Sequence, residues 1–142
     1  MKIAIGSDHG GFELKEAVRV LLADLGHEAV DCGCFSNKSV DYPDFARIVC
    51  EQVGADEAEG GILICGTGIG MSMAANRYSG IRAALCHEQF TARMSREHNN
   101  ANVLCMGARV IGPSIAEEIV RTWVSCQFSG GRHQDRIEMF SG

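Results

Sequence analysis

The sequence predicts an α/β fold: a single-domain, Rossmann-like, three-layer α/β/α sandwich around a five-stranded parallel sheet, spanning residues 1–142. Three observations predict it. Short apolar runs alternate with helical segments from end to end, as parallel strands covered on both faces require. The helical segments carry apolar residues at i, i+3 and i+4, whereas the strands are near-continuous apolar runs. No repeat, low-complexity tract or linker divides the chain, and 142 residues suffice for one full core.

Lys2–Gly6 reads as the first strand. Phe12–Leu25 follows as a helix with Leu14, Val18, Leu21, Leu22 and Leu25 on one face, and Gly26 is placed to end it. Glu28–Cys32 is the second strand. The polar loop Ser36-Asn37-Lys38-Ser39 then leads to a helix from Tyr42 to about Val53, with Pro43 tolerated in its first turn. Ile62–Cys65 is the third strand and Met71–Asn76 a short helix. Ile81–Cys86 is the fourth strand, Glu88–Glu97 a helix and Val103–Met106 the fifth strand. Ser114–Cys126 is the clearest amphipathic helix, with Ser114 as its cap behind Gly112-Pro113. Arg132–Phe140 is helical after the Gly130-Gly131 break.

Composition excludes several function classes. A net charge of -5 and a pI near 5.5 argue against a nucleic-acid binder or a binder of acidic membranes. One lysine and four apolar or small residues before Ser7-Asp8-His9 make no secretory signal. No run reaches the roughly 18 apolar residues of a membrane helix. The expectation is a cytoplasmic protein. Seven cysteines without a C-x-x-C pair imply a reducing compartment and no structural disulfide. Cys32 and Cys34, flanking Gly33, are too isolated to suggest a metal site. Cys86 and Cys105 read as core, as do Met71, Met73 and Met94.

The stretch from Gly61 to Met71 carries the chemistry. A buried strand delivers Cys65 to the glycine-rich turn Gly66-Thr67-Gly68-Ile69-Gly70. Glycines let successive backbone N–H groups point into one small cavity, a seat for an anion or developing oxyanion. A thiol where those groups and a helix N-terminus converge ionises more easily than a free one. The pairing points to an enzyme that uses a thiolate beside a stabilised negative charge. In parallel sheets ligands bind beyond the strands' carboxyl ends, and Asp8-His9, Cys65 to Gly70 and Arg109 all fall at that edge. His98-Asn99 closes the fourth helix and belongs to the opposite edge, so its participation in the same site calls for a neighbouring chain. Arg132 and Arg136, four apart on a helix, present both guanidinium groups on one face, as a solvated pair or a phosphate clamp.

Other anion sites fit less well. Gly66–Gly70 is G-x-G-x-G after the third strand, not the dinucleotide fingerprint after the first. Asp8 stands where a pyrophosphate would sit. Asp31 does mimic the acid that binds a ribose, which keeps a nicotinamide-type or other nucleotide-binding regulatory module open. No Gly-Lys-Ser/Thr follows either loop, which argues against a nucleoside triphosphate site. Met71 stands where a C-x5-R phosphatase loop needs its arginine. His27, His87 and His133 read as surface or structural residues.

Taken together, the chain resembles the type B ribose-5-phosphate isomerase family, which includes allose-6-phosphate and galactose-6-phosphate isomerases. The resemblance covers essentially the whole chain. It is carried by Gly6-Ser7-Asp8-His9-Gly10-Gly11-Phe12, Asp41-Tyr42-Pro43, Gly60 to Gly70, Ser95-Arg96-Glu97-His98-Asn99 and Gly130-Gly131-Arg132-His133. It implies that Cys65 shuttles a proton between C1 and C2 of a sugar phosphate. Gly66, Thr67, Gly68, Ile69 and Gly70 would hold the enediolate oxygens, and His98 would help open the furanose ring. Asn99, Asp8, His9 and Tyr42 would contact the sugar. Arg132 and Arg136, with Arg109, would hold the phosphate. It further implies a cytoplasmic pentose phosphate pathway enzyme without metal or other cofactor, forming a homodimer or dimer of dimers with shared active sites. Cys65 places the chain in the family's cysteine branch, as opposed to the branch with a glutamate at the position of Met71.

Overall fold

A computed structural model describes residues 1–141. In chain order the elements are β1 (Lys2–Ser7), α1 (Phe12–Asp24), β2 (Glu28–Asp31), α2 (Tyr42–Gly54), β3 (Gly60–Cys65) and α3 (Ile69–Ala75). They continue with β4 (Ala83–Leu85), α4 (Gln89–Glu97), β5 (Val103–Gly107), α5 (Pro113–Ser125) and α6 (Arg132–Glu138). A single 3-10 turn, His9–Gly11, joins β1 to α1.

All strand pairs are parallel and the order is β2-β1-β3-β5-β4. The chain winds from β1 outward to β2, then returns to place β3 on the other side of β1. That reversal opens a crevice at the carboxyl ends of β1 and β3, over Ser7 and Cys65.

Alternation along the strands divides the core. Ile3, Ile5, Ile62, Ile64, Leu104 and Met106 meet α1, α4 and α5, with Trp123 fully enclosed among them. Ala4, Leu63, Cys65, Val103 and Cys105 face α2 and α3. The sheet is therefore covered on both sides, and the predicted three-layer sandwich is what the chain forms.

Several element ends shift for local reasons. Gly26, at φ +85°, stops α1 one residue early, at Asp24. Gly68, left-handed at φ +77°, starts α3 at Ile69 instead of Met71. Ser114 is no cap: Gly112 holds that position and Pro113 opens α5. β4 keeps only Ala83–Leu85, and Ile81 and Cys86 lie buried just outside its ladder. α6 ends at Glu138. Met71 is core, but Met73 is exposed, since α3 packs only one side of its single pair of turns.

Candidate active site

β3 brings Cys65 to the crevice, and the chain then has to turn inside it. Gly68 supplies the turn, and its N–H donates to Cys65 Sγ at 3.1 Å. Little else fits there. A Cβ on Gly68 would lie 2.6 Å from Leu85 Cδ1 and 2.8 Å from the backbone carbon of Met106. Thr67 turns outward, exposed, and its Oγ1 accepts the Ile69 N–H at 3.3 Å. The other amides of the first turn of α3 have no intrahelical acceptor, so they face the same edge.

Two further segments close on this turn. Asp8 caps the 3-10 turn, its Oδ1 accepting the N–H groups of Gly10 at 2.9 Å and Gly11 at 3.2 Å, while its own N–H donates to Ile64 O. Gly11 lies directly on β3, where a Cβ would stand 2.5 Å from Ile64 O. Beyond β5, Arg109 donates its N–H to Gly66 O at 2.9 Å. Its side chain runs along Gly66 and reaches toward Gly10, within 3.4 Å and 3.7 Å of the Cβ positions those glycines leave empty.

The loop after β2 supplies the rest. The Val40 N–H donates to His9 Nδ1 at 3.2 Å, which leaves Nε2 to carry the proton of a neutral ring and point it away from that loop. Tyr42, at the start of α2, packs against Gly70, where even a methyl group would stand 2.5 Å from its ring. Thus Asp8, His9, Tyr42, Cys65, Gly66, Thr67, Gly68, Ile69, Gly70 and Arg109 belong to one edge.

His98, Asn99, Arg132 and Arg136 do not. β3 and β5 are in register with Gly61 opposite Val103 and Cys65 opposite Gly107. Four residues of strand, about 13 Å, therefore separate the thiol from the edge where α4 ends. At that amino edge the His98 and His133 rings stack, 4.0 Å between centroids and 13° from parallel. The Ser129 N–H donates to Glu97 O, tying the approach to α6 to the end of α4. Gly130 and Gly131, both at positive φ, turn the chain so that Arg132 and Arg136 lie on the same helix as His133. A broad cleft beside them is lined by Tyr78, Arg82, Asn99 and Phe140.

His133 is the residue that sequence reasoning missed. Its contact is made 35 positions along the chain, where no spacing rule operates, although it closes the Gly-Gly-Arg-His motif. Cys32, Cys34, Cys50, Cys86 and Cys105 are buried in the core, whereas Cys126 is half-buried at the end of α5. Burial pushes the thiols of Cys32, Cys50, Cys86 and Cys105 up, that of Cys50 to about 12. Asp31 is not a free ribose acid, because both its oxygens are held by Lys15 Nζ at 2.7 and 2.8 Å.

The family model for Ribose/Galactose Isomerase matches residues 3–140. Ribose-5-phosphate isomerase B of Escherichia coli is 49% identical over 137 residues, covering 96% of this chain and 92% of that one. A D-erythrulose-4-phosphate isomerase of Pectobacterium atrosepticum is 39% identical, covering 97% and 91%. The solved structure of Clostridium thermocellum ribose-5-phosphate isomerase B superimposes with a TM-score of 0.98 at 52% identity, covering 99% and 95%. The family model over nearly the whole chain, together with this agreement in sequence and in structure, shows that the chain belongs to the ribose/galactose isomerase family.

Proposed function

We propose that this protein interconverts D-ribose 5-phosphate and D-ribulose 5-phosphate, with Cys65 carrying the proton between C1 and C2. The observation that carries the reading is the Gly68 N–H aimed at Cys65 Sγ inside a turn of backbone amides. Aldose–ketose isomerisation removes a carbon-bound proton and passes through a planar enediolate. It needs one base and one seat for the oxyanion, and Cys65 beside the Gly66–Gly70 turn supports the assignment of those two roles to this edge. The chemistry calls for neither metal nor nicotinamide.

Thr67 and the amides of Gly66 to Gly70 hold the enediolate oxygens, while Asp8, His9 and Tyr42 orient the sugar. Arg109 lies at the same edge and takes part in phosphate binding. His98 opens the furanose ring, Asn99 contacts the sugar, and Arg132 with Arg136 holds the phosphate, all four supplied by a partner chain. Phosphate binding away from the reacting carbons supplies positioning energy.

Two observations support a homodimer with shared sites. The amino-edge cluster is too far from its own Cys65 to serve it. Ile69, Met73 and Leu85 expose apolar side chains beside the Gly66–Gly70 turn, a surface that a second copy would cover. The seven unpaired cysteines fit a reducing, cytoplasmic setting, where the pentose phosphate pathway operates. Among the described residues no helix is long and apolar enough to cross a membrane.

Side-by-side assays with ribose 5-phosphate, allose 6-phosphate and galactose 6-phosphate test the substrate. The highest kcat/KM is expected for ribose 5-phosphate; a preference for a six-carbon sugar overturns the choice within the class. A nucleotide-binding module is the reading from another class. It is disfavoured because Asp8 occupies the amides a pyrophosphate would need and Lys15 occupies Asp31. Tight binding of NAD or ADP without isomerase turnover would restore it.

A further inference from the structure

Lys15 is a fully buried charge that the chemistry above does not use. Its Nζ donates to Asp31 Oδ1 at 2.7 Å, Asp31 Oδ2 at 2.8 Å and Glu16 Oε1 at 2.8 Å. It also lies 5.4 Å from the centre of the Phe12 ring and 5.5 Å from that of Phe35. Arg19 reinforces the group from the exposed side, 2.8 Å from Glu16 and 3.4 Å from Asp31. Removing an ammonium from water is expensive, and an apolar side chain of similar volume would fill the same space at less cost. The geometry of the pair therefore needs a reason beyond packing.

Its hydrogen bonds lead to the crevice. Asp31 Oδ1 also accepts the Gly33 N–H at 2.9 Å. The Gly33 carbonyl accepts the Ser7 N–H at 2.7 Å, and the Ser7 carbonyl accepts the Cys34 N–H at 2.9 Å. Ser7 is the residue before Asp8. From Cys34 the segment runs on to Val40, whose N–H sets the His9 ring, and to Tyr42 on Gly70. Phe35, one of the two rings beside Nζ, belongs to the same segment.

We propose that Lys15 is a positioning residue for substrate binding: through Asp31 it fixes the segment 31–42 against Ser7, and so sets where His9 and Tyr42 meet the sugar phosphate. The proposal rests on the reading that those two residues bind substrate. It separates binding from chemistry, because Cys65 and Gly68 stand on β3 and at the start of α3, which this segment does not carry.

The test compares Lys15→Met and Asp31→Asn with the wild type, well below each protein's melting temperature. Asparagine keeps an acceptor for the Gly33 amide while it removes the Asp31 charge and one of the two oxygens that hold Lys15. We expect KM for ribose 5-phosphate to rise about tenfold or more with kcat changed less than about threefold. Hydrogen exchange at the Val40 amide should quicken at least about tenfold while β3 amides stay protected. A lower melting temperature with unchanged KM and unchanged Val40 exchange makes the pair structural only and overturns the proposal. So does a fall in kcat matching the rise in KM, or failure of both variants to fold. Wild-type protein that turns over no sugar phosphate overturns the isomerase reading instead, and the exchange measurement then decides the positioning by itself.

Discussion

The Gly68 amide and the Cys65 sulfur are 3.1 Å apart, and that contact exists only because Gly68 adopts φ +77°. A side chain there is strained by the backbone and blocked by Leu85 and Met106. Gly68→Ala should therefore cost about 2 kcal/mol of stability or more. It should also lower kcat at least about tenfold, because the turn can close only by moving its amides away from the sulfur. Thermal melts and steady-state kinetics measure both. A folded variant with wild-type kcat would remove this contact from the mechanism.

Cys65→Ala isolates the proposed proton transfer. The side chain faces the α2–α3 layer and a methyl group leaves a small hole, so the fold should persist. Loss of a proton-transferring group should reduce kcat about 10³-fold or more, while sugar-phosphate affinity by calorimetry stays within about threefold. Substantial residual turnover would move the proton-transfer role to another residue.

His133 gives the protein a pH signature. Loss of hydration beside the stacked ring pushes its imidazole below the ordinary 6.5, and the neighbouring His98, Arg132 and Arg136 push the same way. Below 6.5 the unfolded chain therefore binds this proton more readily than the folded one. Stability from this residue is present at neutral pH and falls as pH drops through the window under 6.5. Melting temperatures between about pH 5 and pH 7.5 should fall toward acid, and His133→Gln should flatten that fall. An identical slope in the variant would reject the assignment.

The residues that were legible in the sequence share a property: their neighbours in space are their neighbours in the chain. Cys65 and Gly66 to Gly70 stand out because a strand, a cysteine and a glycine turn lie within eleven residues. The parallel sheet was legible for the same reason, through local periodicity. His133 was not, because its partner His98 is brought to it by the return of α6 across the end of α4. The Lys15–Asp31 pair is not legible either, since only the packing of α1 over β2 brings the two residues together. Residue type alone puts Met73 in the core, but a helix of seven residues packed on one side has an outside, and Met73 lies there. The insertion of β5 between β3 and β4 depends on which apolar faces match across the sheet, a choice that a linear pattern does not encode.

The separation of Cys65 from Arg136 by the length of the sheet leads to the sharpest prediction about assembly. If each site joins the carboxyl edge of one chain to the amino edge of another, Cys65→Ala and Arg136→Ala damage different halves. Each variant alone should be nearly inactive at low substrate, the first for want of a base and the second for want of phosphate affinity. After dissociation and random reassociation of an equal mixture, half of the dimers are mixed, and one of the two sites in each carries both native residues. Activity should then recover to about one quarter of the wild-type value. Recovery depends on exchange of chains, so it should appear only after the mixture has been dissociated. A mixture that stays at the level of its parents would mean that both residues serve the same chain's site, and α6 would then have to swing away from His98 to reach the thiol.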